Sequence, residues 1–322
     1  MKQRAFIFII ITGVLWGTSG IFVHHLAPYG FSSMQMSFMR SAVSFSTMFL
    51  YALAFKRELF RISAGDICFF ALTGLALFGT GSCYYASLQL TSISTAVVLM
   101  YTAPVYVVIF SVLFFGEKLS KKKITSVSCM LVGCALVSGI VGGMKFDTAG
   151  ILIGVLSGIS YGAYNILTKL AMRRGVRPMS ATLYTFFFMA LISFILCDPA
   201  NLVANAAIDP ARTVPLMLGI GLVTHVSPYI LYTLALKELD AGVASSLSIV
   251  EPMSATIFSV MLFGEQLDVF SGTGIVLITL AVFLLGREEG SSKERQKEIT
   301  EAINEEKSEE TKGESECISR IR

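Results

Sequence analysis

The sequence predicts an all-α polytopic membrane protein: ten transmembrane helices in two inverted five-helix repeats, with both termini in the cytoplasm. Three observations carry that prediction. Of 322 residues, 54% are hydrophobic and 15% charged, for a mean hydropathy of +0.71. A folded soluble chain of about 300 residues leaves roughly a quarter of its unfolded surface in water and needs more polar side chains than that. The chain also contains ten apolar runs near the roughly 20 residues that cross a bilayer core, and its second half repeats its first.

In chain order the runs are Ala5–Val23, Ser33–Phe55, Ile67–Tyr85, Thr95–Phe115, Ile124–Val141, Ala149–Leu170, Met179–Leu196, Val214–Leu236, Val243–Phe263 and Phe270–Leu285. The first follows Lys2 and Arg4 but lacks a small-residue cleavage site, so it reads as a retained helix rather than a secretory signal. The basic residues orient the rest. With a cytoplasmic N-terminus, 22 Lys/Arg fall inside, in the segments around Lys56–Arg61, Lys118–Lys123, Lys169–Arg177, Lys237 and both termini. Only Lys145 and Arg212 fall outside, and Arg40 lies within the second helix, as the positive-inside rule requires. The connections are short and leave no room for a soluble catalytic domain. The chain therefore divides into residues 1–143, residues 144–286 and a tail of residues 287–322.

The tail carries 19 of the 47 charges, 8 basic and 11 acidic; its Glu/Lys/Ser-rich composition cannot bury a core and predicts disorder or transient helix. The overall net charge of +3 gives no reason to expect a nucleic-acid partner. The six cysteines form no Cys-x-x-Cys and no zinc spacing with His. They read as small apolar residues, and neither a metal nor a cofactor is expected.

Shifted by 148, Tyr84–Ser120 lies over Tyr232–Asp268 with 13 of 37 pairs identical. The identities include Tyr84/Tyr232, Pro104/Pro252, Ile109–Val112 over Ile257–Val260, and Phe115-Gly116-Glu117 over Phe263-Gly264-Glu265. Shifted by 141, helix 1 lies over helix 6 through Gly13-Val14-Leu15/Gly154-Val155-Leu156, Gly17/Gly158 and Ser19/Ser160. Two copies of five helices must face opposite ways across the membrane, an architecture of secondary transporters with the substrate site where the repeats meet. The charges agree: Lys118 to Lys123 follow the first Gly-Glu turn, and no basic residue follows the second through Phe270.

These residues resemble a family. Trp16-Gly17-Thr18, Arg40, Pro104 with Gly116-Glu117, and Glu251-Pro252 with Gly264-Glu265 are similar to the EamA-type branch of the drug/metabolite transporter superfamily. The resemblance covers the body of the chain and stops at Arg287. It implies an inner-membrane carrier, often an exporter of amino acids or drug-like solutes driven by ion gradients, with helices 1, 3, 4, 6, 8 and 9 around a cavity. The expected partners are a small-molecule substrate, protons and the lipid bilayer.

Two ionisable groups other than His lie deep in helices, where a charge costs at least about 2.5 kcal/mol. Glu251 could load and release a proton, or brace helices permanently. Arg40 could compensate it, attract an anion, or snorkel. Polar and aromatic stripes point to a cavity lining. Helix 8 aligns His225, Pro228, Tyr229 and Tyr232, and helix 6 aligns Ser157, Ser160, Tyr161 and Tyr164. Helix 1 adds Thr12, Trp16 and Ser19, helix 3 adds Thr80, Tyr84 and Ser87, helix 4 adds Tyr101, and helix 9 adds Ser245 and Ser248. Such a wall suits a small amphipathic solute with a flat or apolar part, although each residue could equally serve packing between helices. His225 has Leu77 as its repeat counterpart and is an asymmetric, titratable addition. Pro104, Pro228 and Pro252 are expected to bend their helices, and Pro252 to free a carbonyl one turn earlier. Two other classes remain open: an intramembrane serine hydrolase using Ser160 of the Gly158-x-Ser160-x-Gly162 sequence with His225, and a channel or sensor.

Overall fold

The computed structural model describes residues 2–91, 93–116, 120–137, 147–264, 268–281 and 283–284. Glu117, Lys118, Lys145, Glu265 and the tail 287–322 lie outside the described residues, so the Gly-Glu turns are seen only to their glycines. The described residues are helices and short connections, with no strand among them. Among the described residues eight apolar helical stretches have the length and composition to cross a membrane, the longest being Pro210–Glu238 and Gln3–Tyr29. Lys121–Val137 and Val269–Ala281 are shorter. Side chains on the outside of the bundle are apolar: Phe55, Leu113, Ile195 and Val269 are all more than 70% exposed, a surface matched to lipid tails rather than water.

The helices are α1 (Lys2–Gly17), α2 (Ser19–Leu26), α3 (Ser33–Phe55), α4 (Ala64–Leu90), α5 (Ile93–Met100), α6 (Ala103–Phe115), α7 (Lys121–Val137) and α8 (Thr148–Arg173). There follow α9 (Pro178–Leu196), α10 (Pro199–Ala206), α11 (Pro210–Gly221), α12 (Ser227–Glu238), α13 (Ala241–Leu247) and α14 (Val250–Phe263), then α15 (Val269–Ala281). Local chemistry starts and stops them. A reciprocal pair opens α3, with Ser32 N–H donating to Gln35 Oε1 at 2.8 Å and Gln35 N–H to Ser32 Oγ at 3.2 Å. Asp147 caps α8 through Gly150 N–H at 2.7 Å, and Asp268 caps α15 through Ser271 N–H at 2.8 Å. Gly116 and Gly264 end α6 and α14 in the left-handed region, at φ 65° and 68°, a conformation that favours glycine.

Two sequence expectations change. Four of the expected spans are interrupted rather than continuous: at Thr18, at Tyr101–Thr102, at a π-turn over Leu222–Val226, and at Ser248–Ile249. The connection before helix 8, expected only to be short, contains α10, opened by Asp198 Oδ1 accepting Asn201 N–H at 3.2 Å.

In the packing, α4 runs along α8 and α9, α3 lies on α9 and α11, and α1 fits between α12 and α14. At one end of the bundle, the His24 end, Leu26, Phe31, Met36, Cys197, Leu202 and Ile220 form an apolar cluster. At the other end Lys169 Nζ donates to Leu236 O at 2.7 Å and to Leu239 O at 2.5 Å, covering carbonyls that the C-terminus of α12 leaves unpaired. Between α5, α6, α8 and α13 the Lys169 end is closed, with Ala103, Val107, Ser111, Ala244 and Leu247 fully buried.

Candidate substrate cavity

Small residues bring the discontinuous helices together. A Cβ on Gly17 would lie 2.8 Å from Ser254 Cβ, and one on Gly158 2.8 Å from Leu99 O. Only glycine admits such an approach, which lets α1 lie on α14 and α8 on the α5–α6 junction. The larger groups on the remaining faces then enclose a cavity of about 550 Å³, a size typical of small-molecule sites.

The floor of the cavity is aromatic. Trp16 meets Tyr229 edge-on, with ring centroids 5.1 Å apart at 62°, and Tyr161 at 6.4 Å and 76°. His225 packs on Tyr229 at 4.6 Å and on Phe186 at 4.9 Å, and its Nδ1 pairs with Ser44 Oγ at 3.1 Å. Glu251 and Pro252 at the start of α14 face the same space. The Tyr101 hydroxyl points toward the Glu251 carboxylate without reaching normal hydrogen-bond geometry. Arg40 enters from α3; its Nε is buried and has no hydrogen-bond partner among the described residues. Among the described residues no carboxylate lies within 4.0 Å of its guanidinium, so Arg40 and Glu251 share the cavity without forming an ion pair. From this floor the cavity runs along Ser259, Tyr85 and Ser271 to the exposed Gly20, toward the His24 end.

Of the residues singled out in the sequence, Trp16, Ser19, Tyr84, Tyr101, Tyr161 and Tyr229 line this cavity, as do His225, Arg40, Glu251 and Pro252. Others stand behind the wall. Tyr232 is fully buried and donates to Asn165 Oδ1, while Asn165 Nδ2 donates to Tyr161 O at 2.7 Å. Tyr164 stacks on Tyr161, with planes 6° apart. Ser248 Oγ donates to Ser245 O at 2.6 Å inside the helix break. Ser160 Oγ abuts Gly79 of α4. Thr12, Ser87 and Ser157 are spent on carbonyls of neighbouring helices, those of Pro228, Gly150 and Thr80. The reason is rotational: a stripe four residues apart covers a wide arc of helix, and only part of that arc reaches the open space.

The prolines follow the interruptions: Pro104 is in the first turn of α6, Pro228 in that of α12, and Pro252 in that of α14. The carbonyl expected to be free for a ligand before Pro252 is not free, because Ser248 O accepts Glu251 N–H at 2.9 Å. No hydrogen bond among the described residues joins Ser160 to His225, whose Nδ1 is held by Ser44, so the pair a serine hydrolase needs is not assembled.

Sequence reasoning missed Thr224, Thr256, Ser259 and Ser271 in the wall. Ser259 and Thr256 were detectable: they follow Glu251 and Pro252 at helical spacings of eight and four. Ser271 and Met189, from helices 10 and 7, were not, because packing alone brings those helices to the rim.

The comparisons with known proteins agree with this architecture. The chain is 28% identical to an uncharacterized transporter of Archaeoglobus fulgidus over 87% of its own length and 95% of the relative's. It is 26% identical to the uncharacterized transporter YwfM of Bacillus subtilis over 87% of its own length and 92% of that protein. A solved crystal structure shares the fold, with a TM-score of 0.71 at 15% identity, covering 88% of this chain and 96% of the other. The signature of the EamA-like transporter family matches twice, at residues 3–139 and 148–287. A multi-pass bundle with an apolar exterior and an aromatic-floored cavity, matched in this way across nearly its whole body, is a membrane transporter, and the chain belongs to the EamA-like transporter family.

Proposed function

We propose that the chain is a secondary active carrier that exports a small amphipathic metabolite across the cytoplasmic membrane, coupled to protons through Glu251. Its ten spans form two inverted repeats with both termini in the cytoplasm, and access alternates as the halves rock around the midplane cavity. In that topology the His24 end faces outward, and the structure represents an outward-facing state.

One observation carries this reading: residues equivalent in the two repeats have opposite environments. Ser259 of α14 lines the open cavity, whereas its counterpart Ser111 of α6 is fully buried with an unpaired hydroxyl. A static pore would open both; a carrier caught facing one way opens one. The double family match and the paired glycine caps at Gly116 and Gly264 support the duplication. Glu251 is suited to proton coupling because it sits at the base of the open cavity, where wetting alternates between states.

The test is counterflow of candidate metabolites in proteoliposomes under an imposed pH gradient. Glu251→Gln is expected to abolish gradient-driven accumulation while keeping solute exchange. Accumulation left intact in that variant overturns the proton role, and absence of flux for every solute overturns the carrier.

A further inference from the structure

We infer that Arg40 docks the anionic end of the substrate, and that the substrate is a flat, apolar monocarboxylate. The inference rests on the transport reading but specifies a ligand chemistry that transport alone does not require.

A guanidinium has five donors and no acceptor, so it is satisfied only by oxygens placed in its plane. Among the described residues no carboxylate lies within 4.0 Å of Arg40. Its Nε is buried without a partner, and the nearest acidic group in the cavity, Glu251, acts on it only from a distance. Ser44, one turn along, is already bonded to Arg40 O at 2.6 Å and to His225 Nδ1 at 3.1 Å, so it does not serve the guanidinium. The far end of the guanidinium reaches across to Gly81 of α4, where a Cβ would lie 3.9 Å from Nη2. A guanidinium that lines the cavity, with its Nε buried and unmet among the described residues, fits a ligand carboxylate, which accepts two parallel hydrogen bonds.

Charge and shape narrow the class. A guanidinium keeps its charge, whereas a carboxylate such as Glu251 becomes neutral when it takes a proton. With Glu251 protonated the site carries one positive charge and matches one negative charge. A phosphate dianion would exceed that, and a cation would be repelled by Arg40. In the same cavity, Trp16 and Tyr229 form an edge-on pair, and Leu77 and Met189 line the wall, which suits a ring rather than a sugar. The buried, unpaired hydroxyls of Tyr101 and Tyr161 add donors on the side of Glu251.

Trp16 is the chain's single tryptophan, so its fluorescence reports cavity occupancy in the intact, detergent-solubilised protein without a transport assay. Three probes of one shape are titrated: 3-phenylpropionate, 3-phenylpropan-1-ol and 3-phenylpropylamine. The acid is expected to bind at least tenfold more tightly than the alcohol and the amine. Arg40→Gln should bring the acid to the level of the alcohol without changing the affinity for the alcohol, and Arg40→Lys, which keeps the charge but not the fork, should fall between. Equal affinities in the native protein, a preference for the amine, no response to the acid at millimolar concentration, or an acid preference surviving in Arg40→Gln each overturns the inference. The two readings fail separately. Gradient-driven flux of an uncharged or cationic solute with no acid preference rejects the anion site and keeps the carrier; acid binding with no flux of any solute does the reverse.

Discussion

Asn165 occupies a point where α8 and α12 meet behind the cavity floor. Its Nδ2 donates to Tyr161 O, and its Oδ1 accepts the Tyr232 hydroxyl. Both side chains are fully buried, so removing one partner strands the other in an apolar environment. Tyr232→Phe is therefore expected to destabilise the protein by about 1–3 kcal/mol, seen as a lower midpoint in thermal unfolding in detergent. Ser160 makes the opposite case. Its hydroxyl abuts Gly79 outside the cavity, so Ser160→Ala should leave both uptake and unfolding midpoint unchanged. A tenfold loss of activity in that variant would return Ser160 to the mechanism. Residue types were legible in the sequence because Tyr, Trp and hydroxyls on helix faces are conspicuous in an apolar chain. Their division between wall and brace was not legible, because neighbours a few degrees apart around one helix meet different helices.

At the scale of elements, two of the four interrupted spans, helices 4 and 9, are repeat counterparts, whereas helices 1 and 8 break where their counterparts, α8 and α4, run unbroken. Breaks precede Pro104 and Pro252, which remove an N–H from α6 and α14. A π-turn precedes Pro228, with Ser227 Oγ donating to Leu222 O at 2.9 Å, and Thr18 Oγ1 donates to Leu15 O at 2.7 Å where α1 gives way to α2. The prolines made three of these positions legible; the break at Thr18 has no proline and rests on a hydroxyl competing for a helix carbonyl. The broken helices depend on close contact with glycine. Gly158→Ala places its Cβ 2.8 Å from Leu99 O and 2.9 Å from Thr102 Oγ1, overpacking expected to cost about 1–3 kcal/mol. Gly20→Ala meets nothing within 4 Å and should be neutral or stabilising by up to about 1 kcal/mol through helix propensity. Unfolding midpoints of the two variants, measured side by side, check the contrast.

Across the whole molecule, the two repeats pack alike but one turn out of step. Gly17 of α1 meets Ser254 and Ala255, whereas their counterparts Tyr106 and Val107 meet Gly162 of α8, one turn beyond the equivalent glycine, Gly158. A one-turn displacement between otherwise similar helix pairs is a recognised form of two-state packing. It predicts complementary accessibility for the Ser259→Cys and Ser111→Cys variants, made in a chain whose other cysteines are replaced. A membrane-impermeant maleimide added outside should label Cys at 259 readily and Cys at 111 at least tenfold more slowly; equal labelling of both would contradict the outward-facing assignment. What the sequence by itself determined is the membrane setting, the apolar segments, the internal duplication and the two deep charges, since hydropathy, charge sidedness and helical period are written in residue order. What only the tertiary structure decided is which helices are broken, which tyrosines face the cavity, that Arg40 and Glu251 share it unpaired, and which end is open. Those depend on the rotation and depth of each helix against its neighbours, set by contacts such as Gly17 with Ser254 that link residues more than two hundred positions apart.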